Sequence, residues 1–202
     1  MRIYLDAMGG DNAPRSVIEG ALEALGRREA LSIELAGPLD AITSEVERAF
    51  AGQPASVRER LTLTDCPEII TNNEAPVLAV RRKTRSAIVD GMLKLRDGKV
   101  DAFVSAGSTG AVLAGGMFRL GRVKGIERPA LAPLLPNGKG YFLLIDCGAN
   151  VDCRPEYLAQ FALMGDAYMR CMRGIESPRI GLANNGAESE WARRTAARRR
   201  PS

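Results

Sequence analysis

The chain has 202 residues, 46% of them apolar and 26% charged, with four cysteines and no histidine. That length suits one α/β domain or part of a larger one, and that apolar fraction supports a real core and excludes a disordered chain. The net charge of +4 is no mark of a nucleic-acid binder: residues 191–202 carry five arginines and no acid, leaving 23 basic against 24 acidic residues elsewhere.

The first stretch, RIYLDAM, alternates Ile3 and Leu5 and reads as a strand; the opening MRIYLDAMGG lacks the basic start and long apolar run of a secretory signal. GGDNAP follows, then RSVIEGALEAL, with Val17, Ile18, Ala21, Leu22 and Leu25 at helical spacing. Asp11 or Asn12 is expected to cap this helix, Pro14 to sit in its first turn and Gly26 to end it. SIELAG is a second strand, LDAITSEVERAF a second helix and LTLTDC a third strand. The turn-rich PEIITNNEAP then leads to a helical stretch from Val77 to Asp97. DAFVSAG is a fourth strand, and STGAVLAGGMFRL a glycine-rich helix. ALAPLLP and YFLLIDCGAN read as strands of a hairpin about Asn137-Gly138-Lys139-Gly140, which would put an antiparallel element in the sheet. A long helix is expected from Pro155 to Arg173, and RIGLAN as a last strand. Its YLAQFALMGDAYMRCM segment is apolar over much of its circumference, which fits core or a subunit interface. Strands alternating with helices predict a mostly parallel sheet covered on both faces.

Cys66, Cys147, Cys153 and Cys171 lie far apart with no CxxC pair. Without histidine, neither a zinc site of common spacing nor a His-based triad is available, and the thiols read as reduced. No GxSxG, Walker or GxGxxG pattern occurs. No metal or organic cofactor is expected. No apolar run reaches the ~20 residues that cross a bilayer, so a cytoplasmic protein is expected.

In a parallel α/β sheet, ligands bind outside the carboxyl ends of the strands. Four loops fall there: Asp6, Gly9, Gly10 and Asp11; Ser105, Gly107, Ser108, Thr109 and Gly110; Asp146 and Asn150; and Asn184, Asn185 and Gly186. Glycines let backbone approach a ligand, and a helix beginning near Thr109 aims N–H groups and the positive end of its dipole at the loop. That chemistry suits phosphate, with the Ser108 and Thr109 hydroxyls adding donors. Any one such loop also reads as a tight turn or a cap. Asp6 and Asp146 end apolar strands, where a carboxylate can orient a substrate or serve as a base, or simply cap a turn. Arg81, Arg82, Lys83 and Arg85 form a basic cluster that can hold phosphate, dock an acidic partner or be a solvated helix face.

Five segments together carry a resemblance: LDAMGGDNAP, NEAPVLAVRRK, SAGSTGAVLAGG, DCGANVDCRPEYLAQFALMG and IESPRIGLANNG. In this order, from Met1 to about Glu190, they closely resemble the bacterial phosphate acyltransferases of phospholipid synthesis. Ser108 stands where that family often has asparagine. The resemblance implies transfer of a fatty acyl group from acyl carrier protein to inorganic phosphate, giving acyl phosphate. It implies a three-layer α/β/α fold similar to isocitrate and isopropylmalate dehydrogenases, a homodimer, and a cytoplasmic protein at the periphery of the membrane. On it, the Ser105–Gly110 loop and Asn184, Asn185 and Gly186 hold phosphate and the thioester carbonyl, with Asp6, Asp11, Asp146 and Asn150 shaping the pocket. Asn184, Asn185 and Asp146 are the catalytic candidates, and Arg81, Arg82, Lys83 and Arg85 dock the carrier protein; nucleic acid is not an expected partner. A dehydrogenase-like activity on the same fold is the alternative. After Glu190 the pattern stops: Trp191 stands where lysine is expected, and WARRTAARRRPS reads as out-of-frame or disordered sequence. On that reading residues 1–190 are the N-terminal part of the acyltransferase domain, and the 202-residue product alone is expected to be inactive.

Overall fold

Residue alternation in the first strand decides how the sheet is covered. In the computed structural model, which describes residues 1–183, the chain forms two compact units divided between Arg122 and Val123. In the first unit, β1 (Arg2–Asp6), β2 (Ser32–Gly37), β3 (Leu61–Asp65) and β4 (Ala102–Val104) make a fully parallel sheet of order β3-β2-β1-β4. Ile3 and Leu5 point to one face, where they join Ile33 and Leu35 under α1 (Arg15–Arg27) and α2 (Leu39–Ala49). Ile18, Ala21, Leu25 and Ile42 close that core. Tyr4 points to the other face and packs with Phe103 and Ala87 under α5 (Ala87–Arg96). Gly91 makes this packing close, since a Cβ there would lie 2.4 Å from Phe103 and 2.7 Å from Tyr4. Helices on both faces of a parallel sheet are what the strand–helix alternation predicts.

Several boundaries differ from expectation. Pro14, not Asp11 or Asn12, occupies the N-cap of α1 and offers no side-chain cap, and α1 runs through Gly26 to be capped by Arg28. A short α3 (Ala55–Arg58) precedes β3 and carries no periodic apolar signal. The helical stretch expected from Val77 to Asp97 is two helices, α4 (Pro76–Arg82) and α5, with Lys83 at the break. Ser86 supplies the restart: its hydroxyl accepts from Val89 N and donates to Lys83 O. The glycine-rich helix is α6 (Thr109–Gly115) and then widens into a π-helical segment, Gly116–Leu120.

In the second unit, β5 (Leu134–Pro136) and β6 (Tyr141–Leu143) pair antiparallel about the expected turn, where Asn137 Oδ1 accepts from Lys139 N and Gly138 takes a φ of 77°. This hairpin is a two-stranded sheet of its own and not a member of the parallel sheet, so the expectation of a mixed sheet is corrected. α7 spans Pro155–Arg173 as predicted, with Pro at its first turn and Gly174 in the left-handed conformation past its end. Tyr157 and Phe161 are its buried residues. Residues 179–183, expected to begin a last strand, are in no strand. Among the described residues, no helix is long and apolar enough to cross a membrane.

Candidate functional site

The strand order locates the crevice. Successive crossovers step from β1 to β2 to β3, and the chain then returns to lay β4 on the opposite side of β1. The reversal falls between β1 and β4, and the carboxyl ends flanking such a switch point are where open parallel sheets bind ligands. The ends of β1 and β4 carry Asp6 and the Ser105–Gly110 loop.

These two loops are held together by a chain of hydrogen bonds. Ser105 Oγ donates to Asp6 Oδ2 at 2.7 Å and accepts from Gly107 N at 3.1 Å. Asp6 Oδ1 accepts from Met8 N at 3.1 Å. Asp6 is a buried carboxyl, 6% exposed. Burial pushes its carboxyl above the ordinary range, and the Ser105 and Met8 donors act in the opposite direction. Gly9 is pressed against the second loop: a Cβ there would sit 2.7 Å from Gly107 N and 2.9 Å from Ala106 N. Gly10 has a φ of 101°, a conformation that favours glycine. The four residues Asp6, Gly9, Ser105 and Gly107 are thus one packed junction built from segments far apart in sequence.

The helix start lies next to it. Ser108 caps α6, its hydroxyl oxygen accepting from Ala111 N. Helix geometry leaves the Thr109 and Gly110 N–H groups without intrahelical acceptors. Gly110 abuts α4, since a Cβ there would lie 2.7 Å from Pro76 Cγ. Asp11 is exposed. Beside Asp6, a narrow cleft is lined by Gly37, Cys66, Glu68 and Ser86, at the ends of β2 and β3 and the start of α5.

Asp146 and Asn150 belong to the second unit and are organised by each other. Asp146 Oδ1 accepts from Leu131 N at 2.7 Å, and its Oδ2 from Asn150 N at 2.8 Å. Asn150 Nδ2 donates to Pro129 O at 2.9 Å. Asp146 is therefore the clamp of its own loop. Asn184, Asn185 and Gly186 lie outside the described residues.

The basic cluster divides in two. Lys83 Nζ donates to Ile69 O at 2.6 Å and to Glu74 at 2.7 Å, and Arg85 pairs with Asp65 at 3.3 Å while its N–H donates to Glu68. These two residues tie the 67–75 segment to the body of the unit. Arg81 and Arg82 remain on the surface, with the Arg81 guanidinium 5.3 Å from the Phe118 ring centre.

Sequence reasoning missed Pro76, Glu74 and Ser86. Glu74 and Pro76 sit inside the NEAP segment, where a carboxylate three residues after Thr71 was a readable clasp: Thr71 N and Oγ1 both donate to Glu74 Oε1. Ser86 preceding an apolar run was a readable cap.

The chain matches the family model described as fatty acid synthesis protein over residues 1–198. It is 45% identical over 190 residues to a phosphate acyltransferase of Clostridium acetobutylicum, covering 94% of this chain and 56% of that one. Identity to the phosphate acyltransferase of Clostridium botulinum is 46% over 191 residues, and to that of Clostridium novyi 42% over 190, with 55% and 56% of those chains covered. The chain spans about half the length of the curated relatives it matches. With this match running through both units, the chain belongs to the fatty acid synthesis protein family, whose curated relatives include phosphate acyltransferases.

Proposed function

We propose that this chain carries the phosphate-binding part of a phosphate acyltransferase, which transfers a fatty acyl group from acyl carrier protein to inorganic phosphate. The observation that carries the reading is the Asp6–Ser105 junction at the β1/β4 switch point, with a helix start beside it. A phosphate oxygen attacks the thioester carbonyl carbon; the C–O bond forms, the C–S bond breaks, and the phosphate proton passes to the leaving thiolate. The products are acyl phosphate and the free carrier thiol. Hydrogen phosphate is itself nucleophilic, so the reaction needs positioning and anion stabilisation more than a strong base.

Thr109 N, Gly110 N and the Ser108 and Thr109 hydroxyls are the donors offered to phosphate. Gly107 N is already engaged by Ser105, so Gly107 serves by its lack of a side chain. Asp6 would repel a phosphate dianion; engaged by Ser105 and Met8, it holds the loop and does not bind the ligand. In this reading Asp11 is a further site residue of the first unit, Asp146 and Asn150 order the loop they share, and Asn184, Asn185 and Gly186 are the candidate oxyanion donors. The wider reading includes the fold of isocitrate and isopropylmalate dehydrogenases, a homodimer, and a cytoplasmic protein at the membrane periphery.

The test is a chimera in which residues 1–190 replace the matching part of the Clostridium acetobutylicum relative, assayed by trapping acyl phosphate with hydroxylamine. Hydroxamate formation that depends on both phosphate and acyl carrier protein is expected, and Gly107→Val should raise the KM for phosphate. A folded chimera that forms no hydroxamate overturns the function. An unchanged phosphate KM in Gly107→Val overturns the placement of the site.

A further inference from the structure

Beside the phosphate loop, α4 presents a surface that is exposed among the described residues. Ala79 and Val80 are its buried residues, while Val77 and Leu78 are 41% and 49% exposed. Arg81 lies one turn beyond Val77 and Arg82 one turn beyond Leu78, so these four share the outward side. Phe118, on the π-helical segment, is 46% exposed and lies under the Arg81 guanidinium. Arg119 fixes that segment to α4 by donating to Val80 O at 3.0 Å. The result is a strip of three apolar side chains and two arginines. Among the described residues, Arg81 and Arg82 make no ion pair; the neighbouring Lys83 and Arg85 do.

We infer that the strip formed by Val77, Leu78, Arg81, Arg82 and Phe118 docks an acidic amphipathic helix of the acyl carrier protein. The inference rests on the transferase reading above. Covering this strip with apolar protein alone would bury two arginines without counter-charges, which is costly. A partner helix with carboxylates flanking an apolar stripe meets both requirements at once. Two arginines on a helix of about 10 Å are too few for a bilayer, where polybasic segments use about four to eight. Position makes the same choice. α4 begins at Pro76, which abuts Gly110 of the phosphate loop, so a partner seated on α4 delivers its thioester next to the site. Lys83 and Arg85, spent on Glu74 and Asp65, are not part of the docking set.

The test uses the full 202-residue chain and fluorescently labelled acyl carrier protein, with affinity read by anisotropy across a salt series. Arg81→Glu/Arg82→Glu should weaken binding by about tenfold or more at low salt, with the difference shrinking as salt screens the charges. Phe118→Ala should weaken it at all salt concentrations. Arg28→Glu/Arg58→Glu, an equal charge change on exposed arginines elsewhere, is the control. Circular dichroism verifies folding, and Arg81→Gln/Arg82→Gln replaces the reversal if the latter misfolds. Binding within twofold of wild type in the arginine variants, an equal loss in the control, or no carrier binding by the wild-type chain overturns the docking face. So does loss of binding to phosphatidylglycerol vesicles with carrier binding intact, which makes the strip a membrane contact. Carrier binding that depends on this strip in a protein whose chimera transfers no acyl group upholds docking and sinks the transferase reading alone.

Discussion

Ser105 reaches across the β1/β4 switch point to donate its hydroxyl proton to Asp6 Oδ2 at 2.7 Å, joining residues 99 positions apart. The same oxygen accepts from Gly107 N, so one hydroxyl sets both the distance between the loops and the path of the second one. Ser105→Ala leaves Gly107 N without this acceptor and removes a donor from a buried carboxylate. A cost of about 1–3 kcal/mol is expected in urea unfolding. A loss below experimental error would show that the junction does not hold the loops.

Asp6 also gives the fold a pH signature. Its carboxyl lies above the ordinary 3.8 because burial penalises the charge. A carboxyl raised on folding binds its proton more tightly in the folded state. Its contribution to stability is full below the unfolded value and is lost as pH rises through the folded one. Asp6→Asn removes this titration. The stability of the variant relative to wild type should therefore climb as pH rises from about 4 and level off once Asp6 is ionised. A difference independent of pH over that window contradicts the assignment.

Gly9→Ala and Gly20→Ala are opposite tests of the same substitution. At Gly9 the new methyl meets backbone nitrogens at 2.7 and 2.9 Å, atoms that move only if a loop moves. Overpacking of this kind costs about 1–3 kcal/mol. At Gly20, within α1, nothing lies within 4 Å, so alanine should stabilise by about 0.5–1 kcal/mol. Both are read from urea midpoints at constant slope. A neutral Gly9→Ala would mean that the two loops are not pressed together.

Much of this was legible in the sequence where local pattern and tertiary environment agree. β2 and α7 fall where SIELAG and the Pro155–Arg173 stretch predict them, because a buried strand and a Pro-to-Gly helix carry their own signals. The Asp6 and Ser105 loops were identifiable as strand ends, but their hydrogen bond was not, since it depends on β4 returning beside β1. The break at Lys83 was hidden because Val77 to Asp97 keeps helical periodicity on both sides of it; what stops α4 is the pull of Lys83 toward Glu74 and Ile69 and the new cap at Ser86. The cluster Arg81–Arg85 looks uniform as text, and only the fold shows which of its charges are already used.

The Glu74–Lys83 pair should control the 67–75 segment. Glu74 is pulled down to about 2, first by the Lys83 hydrogen bond and then by Thr71 N–H. A carboxyl lowered on folding contributes stability above its unfolded value of 4.5, and that contribution is lost as pH falls toward 2. Glu74→Gln should therefore speed amide exchange at Thr71 near neutral pH, where the wild-type pair is intact. The difference from wild type should shrink as pH falls through this window. Equal exchange in the two proteins at neutral pH would show that the clasp does not order the segment.

The cysteines differ in their access to solvent. Cys66 is 2% exposed, and burial raises its pKa, whereas Cys147 and Cys171 are exposed. Its sulfur lies 3.4 Å from Tyr4 Oη, and that hydroxyl donates to Asp90 Oδ2 at 2.5 Å. A thiol reagent should modify Cys147 and Cys171 quickly and reach Cys66 only when the sheet opens. Tyr4→Phe keeps the ring against Phe103 and deletes the hydroxyl, leaving Asp90 to Lys94 at 3.1 Å. Losing a buried hydrogen bond to a charged group costs about 1.5–3 kcal/mol. If opening controls access, the same free energy appears as a faster Cys66 reaction, tenfold for about every 1.4 kcal/mol. Tyr4→Phe should thus accelerate Cys66 by about ten- to a hundredfold while leaving Cys147 and Cys171 unchanged. Rapid labelling of Cys66 in the wild-type chain would place it outside the core, and an unaltered slow rate in Tyr4→Phe would show that the hydroxyl does not hold the sheet closed.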